Sequence, residues 1–368
     1  MRSRFLKTVL LAAFIVGGIW VLSNRDRINQ PGDVVELIKE KLPANSIPAL
    51  PIGFPTESTH SIPGASGFVN PAPQFVNNVV RIASFRLNPE ITRSQEQQFI
   101  VRLADICRRY DAIALQELDG NDDIWLRQLT DRMNMVGAVG TLNAGGARED
   151  IKKSEYRFVT DRSTRGGMVT QSAIVFNRQT LELDQAQWYT VNDPDDLMTR
   201  EPLVAWFRTR GVKSEEAFTF TLVNVKIDSK RSGRELVYLG ELFRAIRNDG
   251  RGEDDILMAG DFHAGDQQLQ PMRKRAGLTW VVSNRPTGTR NKGQFDNLIF
   301  NETATVEFTG RGGVFDFMRH YNMRLDDALE ISEHLPVWAE FSIYENGTPP
   351  VGDTGTPGRV ANSINRRR

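Results

Sequence analysis

The sequence predicts an α/β protein built as a four-layered sandwich, two facing mixed β-sheets with helices outside. Strand-length apolar runs recur along the body of the chain and outnumber the helical stripes between them. Layered α/β architecture is how such a mixture buries both kinds of element. No internal repeat of fixed period competes with that reading. The chain has 368 residues, enough to bury a large core, and its 40% hydrophobic and 25% charged content is that of a soluble globular protein.

Val79 to Phe85 reads as the opening strand. Ser94 to Tyr110 carries Phe99, Leu103, Ile106, Cys107 and Tyr110 at helical spacing and is a helix. Ala112 to Leu115 is the next buried strand, and Asp122 to Met133 a helix with carboxylates in its first turn. A glycine-rich, charged stretch follows from Gly137 to Gly167. Beyond it Ser172 to Phe176, Leu203 to Phe207 and Thr219 to Val225 have the β pattern. Glu235 to Arg247 is a helix striped by Leu236, Leu239, Phe243 and Ile246. The strands Ile256 to Ala259, Asn297 to Phe300 and Val337 to Ser342 complete the body, expected to span residues 76–344.

Residues 1–27 place Arg2, Arg4 and Lys7 ahead of an apolar run from Val9 to Leu22, the pattern of a signal peptide or short signal anchor. No small-x-small cleavage site precedes Ser23. The expectation is an uncleaved N-terminal anchor in the membrane, with an extracytoplasmic body. Residues 28–75 combine an amphipathic segment, Asp33 to Lys41, with a Pro/Ser/Gly-rich linker, and residues 345–368 have the composition of a disordered tail. Basic and acidic residues balance at 46 each, so no global basic field attracts polyanions. A lone cysteine, Cys107, excludes an intramolecular disulfide and a cysteine-built zinc site.

Several buried strands begin or end in chemically active residues. Glu117 lies just past Ala114-Leu115-Gln116, and Asp261 just past a run closed by Gly260. Asp296 opens a strand, and His334 precedes the last one. In open α/β sheets, strand ends are where chemistry collects.

In this order these segments resemble the endonuclease/exonuclease/phosphatase superfamily with its deoxyribonuclease-I-like fold. The matching pieces are Val80 to Phe85, Leu115-Gln116-Glu117, Arg200-Glu201-Pro202-Leu203, Gly260-Asp261-Phe262, Phe295-Asp296 and Glu333-His334-Leu335-Pro336-Val337. The resemblance implies a divalent-metal-dependent phosphoric ester hydrolase: a phosphodiesterase, nuclease or phosphatase acting on nucleic acid, a nucleotide or a lipid headgroup. Glu117 would hold Mg²⁺, Ca²⁺ or Mn²⁺, with Glu333 beside it, because hard cations take oxygen ligands. Asp296 would orient His334 as the proton-handling imidazole. Asp261 would position the attacking water, and Arg200 would contact phosphate, as Tyr156 does if it matches a family tyrosine.

The departures point the other way. Arg86 and His263 stand where the family usually has asparagine, Lys226 where the deoxyribonuclease branch has a second histidine, and Glu333 where it has aspartate. Arg86 only donates hydrogen bonds and brings a full charge, so it would replace the metal by pairing with Glu117. Every substitute is polar, which suits a pocket that meets an anion. The alternative expectation is therefore an inactive family member that holds a phosphate-bearing ligand or partner in the same cleft.

Overall fold

The computed structural model describes residues 78–90, 97–119, 123–135, 155–161 and 170–347. The expected anchor and linker lie outside these residues, as do residues 348–368 of the tail and most of the charged stretch at 137–167. Among the described residues no helix is long and apolar enough to cross a membrane.

The first half of the body runs β1 (Val79–Arg86), α1 (Gln97–Cys107), β2 (Ala112–Asp119), α2 (Ile124–Met135), β3 (Tyr156–Thr160), β4 (Thr170–Asn177), β5 (Leu181–Thr190) and β6 (Leu203–Thr209). It continues through β7 (Thr219–Lys226), α3 (Ser232–Arg247), β8 (Ile256–Asp261), α4 (Asp266–Ala276), β9 (Leu278–Trp280) and β10 (Asp296–Asn301). The last elements are β11 (Phe308–Val314), α5 (Phe317–His320), α6 (Leu325–Ile331) and β12 (Val337–Ser342). Two six-stranded sheets result, ordered β11-β12-β1-β2-β4-β3 and β5-β6-β7-β8-β10-β9. Among the described strands only β1–β2 and β7–β8 pair in parallel, and α1 and α3 supply the crossovers those pairs need.

Side-chain alternation explains why both faces of the first sheet are apolar. Val80, Ile82, Ala112 and Ala114 point inward and meet Leu222, Leu257, Ala259, Leu298 and Phe300 of the second sheet. Their neighbours Ala83, Phe85, Ile113 and Leu115 point outward, onto Leu103 and Cys107 of α1 and Leu126, Leu129 and Met133 of α2. On α3 the predicted stripe of Leu236, Leu239, Phe243 and Ile246 is buried. Each such large apolar side chain contributes about 1.5–3 kcal/mol when fully buried.

Two backbone features shape the rim of the sandwich. A Cβ on Gly260 would sit 2.1 Å from the Val225 carbonyl oxygen, so only glycine lets β7 and β8 run this close beneath Asp261. β2 slips register between Leu115 and Leu118, and Glu117 inside the slip has φ 62°. This bulge re-aims the Glu117 carboxylate.

Candidate active site

The C-terminal ends of β1, β2, β7 and β8 and the N-terminal ends of β10 and β12 gather at one rim, since Arg86 pairs in register with Gln116, Asp261 with both Lys226 and Asp296, and Val337 with Ser84. Just beneath it a polar stitch joins the sheets. Asn224 donates through Nδ2 to the carbonyls of Leu115 and Ala173, each at 2.9 Å, and accepts from Gln116 Nε2 at 2.8 Å.

Asp261 is the hub. Its side chain is fully buried, with Lys226 Nζ 3.0 Å and Arg86 Nε 3.8 Å from Oδ2, while His263 donates both its backbone N–H, at 3.1 Å, and Nδ1–H, at 2.7 Å, to Oδ1. Burial opposes the charge on Asp261. The hydrogen bond from His263 and the nearby Lys226 and His334 outweigh it and hold the carboxyl well below the usual range. His263 reaches this position at φ 46°, in the left-handed region where asparagine is favoured, which accounts for how an imidazole fits a turn the family builds with an amide.

Asp296 and His334 form the second unit. Asp296 Oδ2 accepts from His334 Nδ1–H at 2.7 Å and from the Thr287 hydroxyl at 3.0 Å. Burial disfavours an imidazolium here, and Arg86 opposes it too. The charge and hydrogen bond of Asp296, with Asp261, nonetheless raise His334 above the ordinary imidazole value. Arg86 Nη1 donates to His334 Nε2 at 2.8 Å, which requires the neutral tautomer with its proton on Nδ1. Phe295 walls this corner, its ring 5.0 Å from that of His334 and 5.1 Å from that of His263.

Glu117, Arg86, Lys226, Asp261, His263, Asp296, Glu333 and His334 are thus neighbours, though not with the partners the sequence suggests. The expected Arg86–Glu117 pair does not form: Lys226 Nζ lies 3.7 Å from Glu117 Oε1, and Arg86 Nη1 lies 3.9 Å from Glu333 Oε2. Arg200 sits past the Leu203 end of β6, level with this rim, where Nη1 donates to the Thr199 carbonyl and the buried Nε has no hydrogen bond. Tyr156 is placed elsewhere. It opens β3 at the sheet end away from Glu117, buried, with its hydroxyl donating to the carbonyls of Arg108 and Tyr110, so it has no free group to offer a phosphate.

A divalent ion does not fit between Glu117 and Glu333, although Asp261, Asp296 and His334 at the same rim bring ligand atoms within 4.8 Å of one another. The two carboxylates that would hold it are each faced by a cation of the chain, and an ion beside Glu117 would meet Lys226 as a like charge at short range. Among the described residues Glu117 also belongs to no trio of carboxylate or imidazole groups close enough to share one ion.

Sequence reasoning missed the residues that hold the site in place. Ser332 accepts the His334 backbone N–H at 2.8 Å and donates to the Arg86 carbonyl at 2.6 Å. Thr287, in the Thr287-Gly288-Thr289 turn that bridges to His334, accepts the backbone N–H groups of Phe295 and Asp296. Buried Glu235 of α3 accepts from the Thr199 and Asp228 backbone N–H groups and so braces the loop that carries Arg200. The sequence signals for them were the Pro286-Thr287-Gly288 turn and the place of Ser332 two residues before His334.

Two facing mixed sheets, helices outside, and carboxylates and imidazoles at one rim are the deoxyribonuclease-I-like architecture. In fold and in its relatives the chain is similar to the endonuclease/exonuclease/phosphatase superfamily. It is 25% identical over 281 residues to deoxyribonuclease-1-like 1 of Rattus norvegicus, covering 73% of this chain and 83% of that one. To deoxyribonuclease gamma of Mus musculus it is 23% identical over 283 residues, covering 73% and 85%. Among solved structures it is similar to D. rerio TDP2 complexed with single strand DNA product, with TM-score 0.47, 15% identity and coverage of 72% and 100%. The human Nocturnin catalytic domain with bound sulfate anion gives TM-score 0.45 and 13% identity over 73% and 96% of the two chains. No family model matches the chain.

Proposed function

We propose that the chain is a phosphoric ester hydrolase whose substrate is a phosphodiester of the nucleic-acid class, and that Lys226 and Arg86 supply at its rim the positive charge a metal would otherwise bring. The observation that carries this reading is the buried Asp296–His334 pair beside Asp261. The deoxyribonuclease relatives support the substrate class.

A phosphodiester resists attack because it is anionic, so its charge must be met first. An incoming phosphate offers Arg86 a bidentate partner better than the His334 nitrogen it now contacts. Once Arg86 moves onto the phosphate, the His334 Nε2 lone pair is free. Asp261 then orients a water, Nε2 takes its proton, and Asp296 stabilises the imidazolium that forms. Lys226 stabilises charge on the phosphate and the leaving oxygen as the ester bond breaks.

The test is hydrolysis of bis-p-nitrophenyl phosphate and of a short DNA by the full chain, by the same chain in EDTA, and by a His334→Ala variant. We expect turnover unchanged by EDTA and lowered about 10²–10⁴-fold in the variant, the usual contribution of a general base. Loss in EDTA with rescue by Mg²⁺ would return a divalent ion to Glu117. A second reading has its own support in Arg86 seated on His334 Nε2 and Lys226 between Glu117 and Asp261. In that reading the rim holds a phosphate-bearing partner without turnover. It predicts thermal stabilisation by the same phosphodiesters with no product formed.

A further inference from the structure

The opposite end of β8 carries a second group of acids that plays no part in the chemistry above. Asp255 immediately precedes the strand, Glu307 precedes β11, and Glu345 follows β12, so the group joins one sheet to the other. One ligand oxygen from each of these three lies within 4.8 Å of the others, and Glu253 and Asp254 adjoin them.

The carboxylates are fixed by the backbone rather than by cations. Glu307 Oε1 accepts the Asn346 N–H at 2.6 Å and Glu345 Oε2 the Thr219 N–H at 3.1 Å. Glu253 accepts the Asp255 N–H and Trp206 Nε1–H, each at 2.9 Å. Asp255 and Glu307 are each only 2% exposed, yet Asp255 Oδ1 and Glu307 Oε2 have no hydrogen-bond partner. Among the described residues no lysine, arginine or histidine forms an ion pair with any of these acids, whereas most buried carboxylates are paired.

We propose that Asp255, Glu307 and Glu345 form a calcium-type divalent-cation site that ties together the ends of the two sheets, with Glu253 and the Thr305 hydroxyl as outer oxygens. The donor set is all oxygen, which selects a hard cation. Three oxygens within 4.8 Å of one another are close enough to share one ion whose ligands stand about 2.3–2.6 Å away, as those of Ca²⁺ do, and calcium tolerates the irregular geometry of a site assembled from two sheets. A bound divalent ion offsets the cost of burying these unpaired carboxylates. Glu345 is half-buried and gives the ion a way in.

The experiment uses the full chain, stripped with EDTA and dialysed. Tb³⁺, a luminescent stand-in for Ca²⁺, is added first, and Trp206, which donates to Glu253, is placed to sensitise it. We expect sensitised emission that Ca²⁺ displaces, and a Ca²⁺-dependent rise in Tm. Trp206→Phe should lose most of the emission but keep the Tm response. Asp255→Asn and Glu307→Gln should each weaken Ca²⁺ at least tenfold, and Glu117→Gln, at the other rim, should weaken it not at all. Absence of both responses in the unaltered chain would overturn the proposal. So would their persistence in an Asp255→Asn/Glu307→Gln double variant, or their loss in Glu117→Gln. If the acid-site variants do not fold, the emission of the unaltered chain against Trp206→Phe and Glu117→Gln decides the question.

Discussion

β8 has an aspartate at each end, and the two ends are electrostatic opposites. Asp261 meets Lys226, Arg86 and His263; Asp255, six residues earlier and equally buried, meets Glu307, Glu345 and Glu253. Both are almost wholly removed from water on folding. One is nonetheless held below the ordinary carboxylate range while the other is pushed up to about 9. Neighbours therefore decide what a buried carboxylate becomes. A cationic surround keeps the group charged; an acidic one yields a group that wants a proton or a metal ion.

The most disruptive way to break the contrast is to remove the cation at the rim. Lys226→Met leaves Asp261 buried with its nearest counter-charge gone, and we expect a loss of about 3–5 kcal/mol in urea unfolding. In the EDTA-stripped chain above about pH 9, where Asp255 is ionised, Asp255→Asn should change stability in the other direction, since it removes a like charge. Next in size is Gly260→Ala. Its methyl group would drive β7 and β8 apart beneath Asp261 and cost at least about 1–3 kcal/mol, read from the same unfolding curves.

A subtler effect concerns His334. Because its value in the folded state is raised, it stabilises the fold fully below its unfolded value of about 6.5, and that contribution is lost as pH climbs through the raised folded value. The charge of Arg86 opposes protonation, so Arg86→Ala should move the His334 NMR titration further upward. The smallest change expected is His263→Asn. Asparagine accepts the left-handed backbone and keeps a donor near Asp261, so stability should fall by no more than about 1 kcal/mol.

These contrasts also explain what the sequence could reveal. Each strand predicted from an apolar run is present. The four strands left unpredicted, β3, β5, β9 and β11, are the four sheet edges. Edge strands stay half exposed, so β5 carries Glu182, Asp184 and Gln185 between its apolar positions, and β11 carries Gly310, Gly312 and Gly313. Helix α4 was hidden by Pro271 and by a largely polar surface that buries Leu269 and Met272.

At the rim, Glu117, Asp261, Asp296 and His334 were legible because each interrupts a buried run. Which cation faces which acid was not, because Lys226 on β7 reaches Glu117 on β2 only through the packing of one sheet on the other. Tyr156 was misread for a related reason. Without β3 recognised, its direction was unknown, and the residue opens that strand at the far end. Asp255 looked like no more than a charge bounding a strand, since Glu307 and Glu345, which give it meaning, come from distant turns.

The most direct measurement is the pH–rate profile of phosphodiester hydrolysis in EDTA, for the full chain and for His334→Ala. The unaltered chain should show a rate that rises with pH through the raised His334 value, as the imidazole becomes the neutral base. His334→Ala should be about 10²–10⁴-fold slower and flat across that range. Equal rates and equal profiles for the two proteins would contradict the assignment of the Asp296–His334 pair as the working centre of the site.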